Sequence, residues 1–351
     1  MNILFRVDAG SSIGMGHLMR CLALAQALKK FNIQPFFAVD KITLDLCESR
    51  RDWCGEILLL PEHIEAAAEA SCIELMLMDK QIDALVLDGY QFTQAYRQRL
   101  SRLNCRLILF DDNNDTGELY ADLVINGAEN APSLGYQQTA PTAHYCLGGQ
   151  YRVLRQEFIQ QASNRWQERQ LLTLCMGGSD PKQLSLPLLK ALEEQGFSSP
   201  ICLITGDAYQ ELAKLQNFLM HSLMTVQHIH NCQNIAGMFS QSRLVVSAAG
   251  GTQFELAACK SPSILLVVAD NQVNASLQAS QQGWCEIFDL RSDVDFKLLA
   301  KKITELWANE QSLTTMHQQA EKHSEVEGAE RVVRAIITLL QGNVLSPQGA
   351  K

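Results

Sequence analysis

No apolar run in this chain approaches the roughly 20 residues that a helix needs to cross a bilayer, so no membrane-spanning role is expected. The opening Met1-Asn2-Ile3-Leu4-Phe5-Arg6-Val7-Asp8 lacks a basic leader and a cleavage site, and reads instead as a first strand. The 11 cysteines include no CxxC pair. Their odd number and wide spacing favour buried free thiols in a reducing cytoplasm over a disulfide framework. The N-terminal glycine turn lacks both the Gly-Lys-Ser/Thr of a Walker A loop and the GxGxxG dinucleotide pattern, and no acidic ribose clamp follows the second strand. Tandem repeats and low-complexity segments are also missing. The shortage of positive charge, a formal net of -9 with a pI near 5.4, argues against nonspecific binding to nucleic acid or acidic membranes. It leaves room for one local cationic pocket.

What is present is a repeated strand–turn–helix pattern in a chain of 351 residues, 47% hydrophobic, which suits two α/β domains. Ile3–Val7 leads through a glycine turn to Leu18, Cys21, Leu22, Ala25 and Leu28 at helical spacing. Strands are expected at Gln34–Val39 and Glu56–Leu60, and three more deliver polar ends. Ile82–Leu87 runs into Asp88-Gly89-Tyr90, Leu107–Phe110 into Asp111-Asp112, and Leu123–Ile125 into Asn126-Gly127. The pattern restarts after the Leu147–Tyr151 turn. Leu171–Met176 enters Gly177-Gly178-Ser179-Asp180, Ile201–Thr205 ends at Gly206, Leu244–Ser247 enters Ala248–Thr252, and Ile264–Val268 enters Asp270-Asn271-Gln272. Right-handed crossovers make such units parallel sheets, whose carboxyl edges take ligands. The expected division is a Rossmann-like domain at 1–155, a second Rossmann-like domain at 156–341 and a loose tail at 342–351, with a cleft between the domains.

Several residues can carry chemistry. The turn Asp8–His17 places Gly10, Gly14 and Gly16 where a backbone can approach a ligand, and His17 where an imidazole can take or give a proton. Arg20, three residues on, can meet a phosphate or pair with a local acid. Asp88 can orient His17 or a water, or cap a turn; Tyr90 can bind a sugar hydroxyl or stack on a ring. In the second half, the amides and hydroxyls of Gly178, Ser179, Gly250, Gly251 and Thr252 suit a diphosphate without a basic patch. Glu255 can accept ribose hydroxyls, and Asn271 and Gln272 offer sugar-binding groups. His228, His230 and Cys232 share one face of an extended segment but have no evident fourth zinc ligand, so neither a metal nor a cofactor is expected.

With Phe5-Arg6-Val7-Asp8, Gly14-Met15-Gly16-His17-Leu18-Met19-Arg20-Cys21, Gly177–Asp180, Ser247–Thr252 with Glu255, and Asn271-Gln272 in this order, the chain resembles the UDP-2,4-diacetamido-2,4,6-trideoxy-β-L-altropyranose hydrolases of pseudaminic acid biosynthesis. The resemblance implies two Rossmann-like domains in a glycosyltransferase-B-like arrangement, with UDP held mainly by the C-terminal domain and no metal. It implies water attack at the anomeric carbon, with His17 as base or water-positioning residue, and Asp8 and Tyr90 on the sugar side. A UDP-sugar substrate also implies a cytoplasmic enzyme. Two departures bear on the sugar pocket: many relatives have histidine where Gly89 stands, and Gly148-Gly149 replaces a common Gly-Pro pair. The alternatives are a nucleotide-sugar glycosyltransferase, a hydrolase for an isomeric UDP-diacetamido sugar, and a module that binds without cleaving. Neither the sugar isomer nor the oligomeric state is legible in the sequence.

Overall fold

The computed structural model describes residues 1–10, 15–160, 165–292 and 294–342. Gly14 and the rest of the 11–14 turn, and residues 343–351 of the expected tail, lie outside the described residues. The chain divides into two compact units. The first contains Met1–Gln156 and the segment that begins at Val326; the second is Glu157–Glu325.

The first unit is built on a parallel seven-stranded sheet: β1 (Asn2–Val7), β2 (Gln34–Val39), β3 (Glu56–Leu59), β4 (Ala84–Asp88), β5 (Arg106–Phe110), β6 (Leu123–Asn126) and β7 (His144–Leu147). The spatial order is β3-β2-β1-β4-β5-β6-β7. Its strands read as nearly unbroken apolar runs because both faces are covered. Phe5, Val7, Phe37 and Val86 enter one core; Leu4, Ala38, Leu85 and Leu107 enter the other. The helix Gly16–Lys30 packs Leu18, Cys21, Leu24, Ala25 and Leu28 into the first of these cores.

The expected second-domain limit of 156–341 differs from this division. The helix Gly328–Leu340 packs Val332, Val333, Ile336 and Leu339 into the first unit's core, not the second's. Its amphipathic stripe needs an apolar partner, and the Gly16–Lys30 helix supplies one. Lys30 Nζ meets Glu330 at 3.2 Å, and the Arg334 guanidinium lies over the Phe31 ring. At the start of this helix the backbone passes so close to Arg152 that a Cβ on Gly328 would stand 2.1 Å from the Arg152 carbonyl oxygen.

The second unit carries a parallel six-stranded sheet: β8 (Leu171–Cys175), β9 (Ile201–Thr205), β10 (Val226–His230), β11 (Ser242–Ala248), β12 (Ser263–Val267) and β13 (Cys285–Asp289). The order is β10-β9-β8-β11-β12-β13. Leu172, Leu174, Leu203, Val246 and Leu266 join Leu299, Ile303, Leu313 and Met316 of the helices Phe296–Ala308 and Glu310–Lys322 in one core.

In each sheet the chain order runs outward in both directions from one central pair, β1/β4 in the first and β8/β11 in the second. The connections leave opposite faces at these pairs and open a crevice at the carboxyl ends of the strands. Each unit therefore has one preferred place for a ligand.

Candidate active site

The crevice of the first unit holds His17. Val7, the last residue of β1, pairs with Asp88, the last residue of β4, so the two strands deliver their ends side by side. After β1 the chain passes to the Gly16–Lys30 helix, whose second residue is His17. His17 Nδ1 lies 2.7 Å from Asp88 Oδ1. An ionised carboxylate only accepts, so Nδ1 carries the proton and Nε2 keeps a lone pair. The 3.4 Å approach of Arg20 Nη2 to the same Nδ1 is then a contact between two donors. Tyr90 sets its ring edge-on against the imidazole, with centroids 4.8 Å apart.

Arg20 clamps the acids. Its Nε and Nη2 donate to Asp88 Oδ2 and Oδ1 at 2.8 and 2.7 Å, its Nη1 donates to Asp112 Oδ1 at 2.6 Å, and the guanidinium lies over the Phe110 ring. Of the two roles expected for Arg20, the structure shows pairing with acids. Tyr90 Oη donates to the other oxygen of Asp112 at 2.9 Å. Asp112 stood in the sequence only as part of a polar strand end; the arginine gives it its place.

These contacts set the charges. Burial opposes a charged imidazole at His17, as does Arg20, but the charge and hydrogen bond of Asp88, with help from Asp112, raise its pKa above the ordinary 6.5. Burial favours a neutral Asp88, but Arg20 and His17 outweigh it and hold the carboxyl below its usual range. At Asp112 burial is again outweighed by Arg20, and the pKa falls to about 2. The group is thus a carboxylate–imidazole dyad steadied by a guanidinium, an arrangement that suits proton removal from an oxygen nucleophile. A cavity of about 20 Å³ lined by His17, Arg20, Asp88 and Tyr90 adjoins it.

Asp8 lies just beyond β1, buried, and accepts from Arg6 Nη1 and from Gln91 Nε2, the latter at 2.9 Å. Arg6 is in turn held by Glu69, to which Tyr96 Oη donates at 2.6 Å. Gln91, Glu69 and Tyr96 did not stand out in the sequence, because their partners lie tens of residues away. Gly16, the first residue of the helix, is exposed, with open space where a Cβ would point.

In the second unit the expected nucleotide residues all follow three adjacent strands. Gly178 and Ser179 follow β8, Gly250–Thr252 and Glu255 follow β11, and Asn271 and Gln272 follow β12. Gly250 has φ +122°, and Thr252 opens the helix Thr252–Ala258 that carries Glu255. Gln272 Oε1 accepts from Val268 N at 2.9 Å, and Asn271 is exposed. Asp180 accepts from the amides of Leu184 and Ser185 and so pins the far end of the Gly177–Ser179 turn. Gly206 is required beneath that turn: a Cβ there would stand 2.4 Å from the Gly178 carbonyl oxygen.

The rings of His228 and His230 both hydrogen-bond the Thr205 hydroxyl, at 2.9 and 3.1 Å. Among the described residues no three His, Cys, Asp or Glu side chains are grouped to hold a metal ion. Among the same residues no helix is long and apolar enough to cross a membrane.

Two Rossmann-like units with this topology define the glycosyltransferase-B-like fold, shared with several solved glycosyltransferases. Residues 156–332 match the model of the glycosyltransferase family 28 C-terminal domain, and the chain belongs to that family. An uncharacterised protein of Methanocaldococcus jannaschii, MJ1062, is 24% identical over 278 residues; the match covers 76% of this chain and 55% of that relative, so the chain spans about half its length. The UDP-2,4-diacetamido-2,4,6-trideoxy-β-L-altropyranose hydrolase of Campylobacter jejuni is 23% identical over 288 residues, covering 81% of this chain and 98% of the relative. Among solved structures, a Staphylococcus aureus MnaA–UDP complex superposes with a TM-score of 0.71 at 12% identity, covering 100% of each chain.

Proposed function

We propose that the protein is an enzyme acting on a UDP-sugar, in which His17 activates an oxygen nucleophile against the anomeric carbon. The observation that carries this reading is the 2.7 Å His17–Asp88 contact at the crevice of the first sheet. His17 Nε2 takes the proton as the nucleophile's oxygen bonds to the anomeric carbon; the bond from that carbon to the diphosphate breaks, and UDP leaves with its electron pair. Asp88 compensates the imidazolium, Arg20 keeps Asp88 ionised and in place, and Asp112 holds the other side of the Arg20 guanidinium. Asp8 and Tyr90 belong to the sugar side. Gly16 opens the helix beside the sugar, and Arg20 acts there through its two acids. Gly178, Ser179, Gly250, Gly251, Thr252, Glu255, Asn271 and Gln272 take the diphosphate and ribose, whose developing charge fixed amides stabilise.

Two nucleophiles suit this step. Transfer to an acceptor hydroxyl has the broader support, since both the family model and the fold are those of glycosyltransferases. Hydrolysis is supported by one specific observation: the Campylobacter jejuni hydrolase matches along nearly its whole length. On this reading the substrate is UDP-2,4-diacetamido-2,4,6-trideoxy-β-L-altropyranose or an isomeric UDP-diacetamido sugar.

Incubation with a panel of UDP-sugars, with both products followed by NMR, separates these outcomes. Stoichiometric UDP and free sugar without an acceptor establish hydrolysis. Turnover only after an acceptor is added establishes transfer. Binding without either removes the catalytic reading.

A further inference from the structure

We infer that Gln91 reads the sugar: Asp8 pins its carboxamide nitrogen, and its carbonyl oxygen is offered to a hydroxyl or amide N–H of the sugar. The inference rests on the UDP-sugar reading and goes beyond it to a residue that selects among sugars.

Gln91 is exposed, and an exposed glutamine ordinarily samples many rotamers. Two features hold this one in a single pose. The first is Asp8, a buried carboxylate that accepts from Gln91 Nε2 at 2.9 Å while Arg6 fixes it from the other side. Arg6 is itself anchored by a two-point contact to Glu69, at 2.8 and 3.0 Å, so the base of the chain is rigid. The second is Gly89. Its φ of +151° is glycine backbone, and a Cβ there would stand 2.2 Å from Gln91 Oε1 and 2.8 Å from Gln91 Nε2. The carboxamide therefore occupies the space that a side chain at position 89 would take.

Its location gives the pose a use. Gly89 lies between Asp88, which holds His17, and Tyr90, whose ring packs on His17. Because the carboxylate of Asp8 only accepts, the N–H side of Gln91 faces it and the carbonyl oxygen turns away. A fixed acceptor at the exit of β4, the strand whose last residue holds His17, costs a ligand little ordering to use, which is how a rigid polar group discriminates between sugars that differ by one donor.

The test is steady-state kinetics of the wild type, Gln91→Ala and Gln91→Glu. Each is measured on the UDP-sugar that the wild type turns over and on analogues that each lack one hydroxyl or acetamido donor. Loss of one net hydrogen bond predicts a KM raised about 3- to 10-fold in Gln91→Ala, with kcat changed less than about twofold. Gln91→Glu, whose carboxylate would face that of Asp8, should behave like the alanine variant. One analogue should be disfavoured by the wild type and accepted equally by Gln91→Ala; its missing group identifies the donor as hydroxyl or amide. A wild-type KM with an unchanged order of analogues in both variants overturns the inference and leaves the UDP-sugar reading standing. A wild type that neither binds nor cleaves any UDP-sugar overturns both.

Discussion

Asp88 Oδ1 accepts from His17 Nδ1 at 2.7 Å from the end of the strand adjacent to the one that delivers the histidine. The contact decides the tautomer of the ring and thereby which nitrogen is free for chemistry. Replacing Asp88 by asparagine removes the charge that compensates the imidazolium and allows the other tautomer. For Asp88→Asn and His17→Gln, turnover should fall by about 10²–10⁴-fold, the usual contribution of a positioned base. Circular dichroism should confirm that each variant is folded. Near-normal turnover in a folded His17→Gln variant would remove the dyad from the chemistry.

The raised pKa of His17 makes activity and stability move in opposite directions with pH. As a base, His17 works when neutral, so kcat/KM should rise with pH along a limb whose midpoint lies above the ordinary 6.5. Because its folded pKa is above the unfolded value, its stabilising contribution is fully present below about 6.5 and is lost as pH rises through the folded pKa. Thermal melts of wild type and His17→Gln should differ most in mild acid and converge in alkali. A pH–rate limb below 6.5 would contradict the assignment.

Asp112 behaves in the opposite sense. Its pKa is depressed to about 2, so the Arg20–Asp112 pair stabilises above the unfolded value near 3.9 and is lost as pH falls towards 2. Arg20→Lys keeps a charge but gives up the fork that serves Asp88 and Asp112 together. A loss of about 2–3 kcal/mol is expected at neutral pH, read from urea denaturation, because an under-partnered acid stays buried. An unchanged midpoint would show that Arg20 does not steady the dyad.

Gly206 offers a test of the second unit that leaves the dyad untouched. Gly206→Ala must displace the Gly178 backbone, which a Cβ would approach to 2.4 Å, at a cost of about 1–3 kcal/mol. If Gly178 and Ser179 hold diphosphate, UDP affinity measured by calorimetry should weaken about tenfold, equivalent to roughly 1.4 kcal/mol. Wild-type affinity would exclude that turn from the nucleotide site.

Strands with strong apolar runs and glycine-rich exits were legible in the sequence: β2 and β9 coincide with the expected Gln34–Val39 and Ile201–Thr205. Those that escaped lie at sheet edges. β7 (His144–Leu147) and β13 (Cys285–Asp289) carry polar residues because one side has no strand neighbour, and the half-buried β10 reads equally well as a polar loop. His17, Arg20 and Asp88 were visible as chemistry-bearing residues because each stands at a strand exit or a helix start. Their contacts were not, since Arg20 reaches Asp112 across 92 residues and Gln91 reaches Asp8 across 83. Such pairs are chosen by strand order, which local periodicity does not encode.

The helix that begins at Gly328 has a consequence for how the protein is made. Its apolar stripe belongs to the core beneath β1 and the Gly16–Lys30 helix, yet the ribosome supplies it only after the whole of the second unit. The second unit is a continuous insertion that can fold as soon as it emerges. The first unit, which carries His17, waits for the last segment to close its core. Cutting the gene after residue 156 would separate the imidazole from part of the scaffold that holds it.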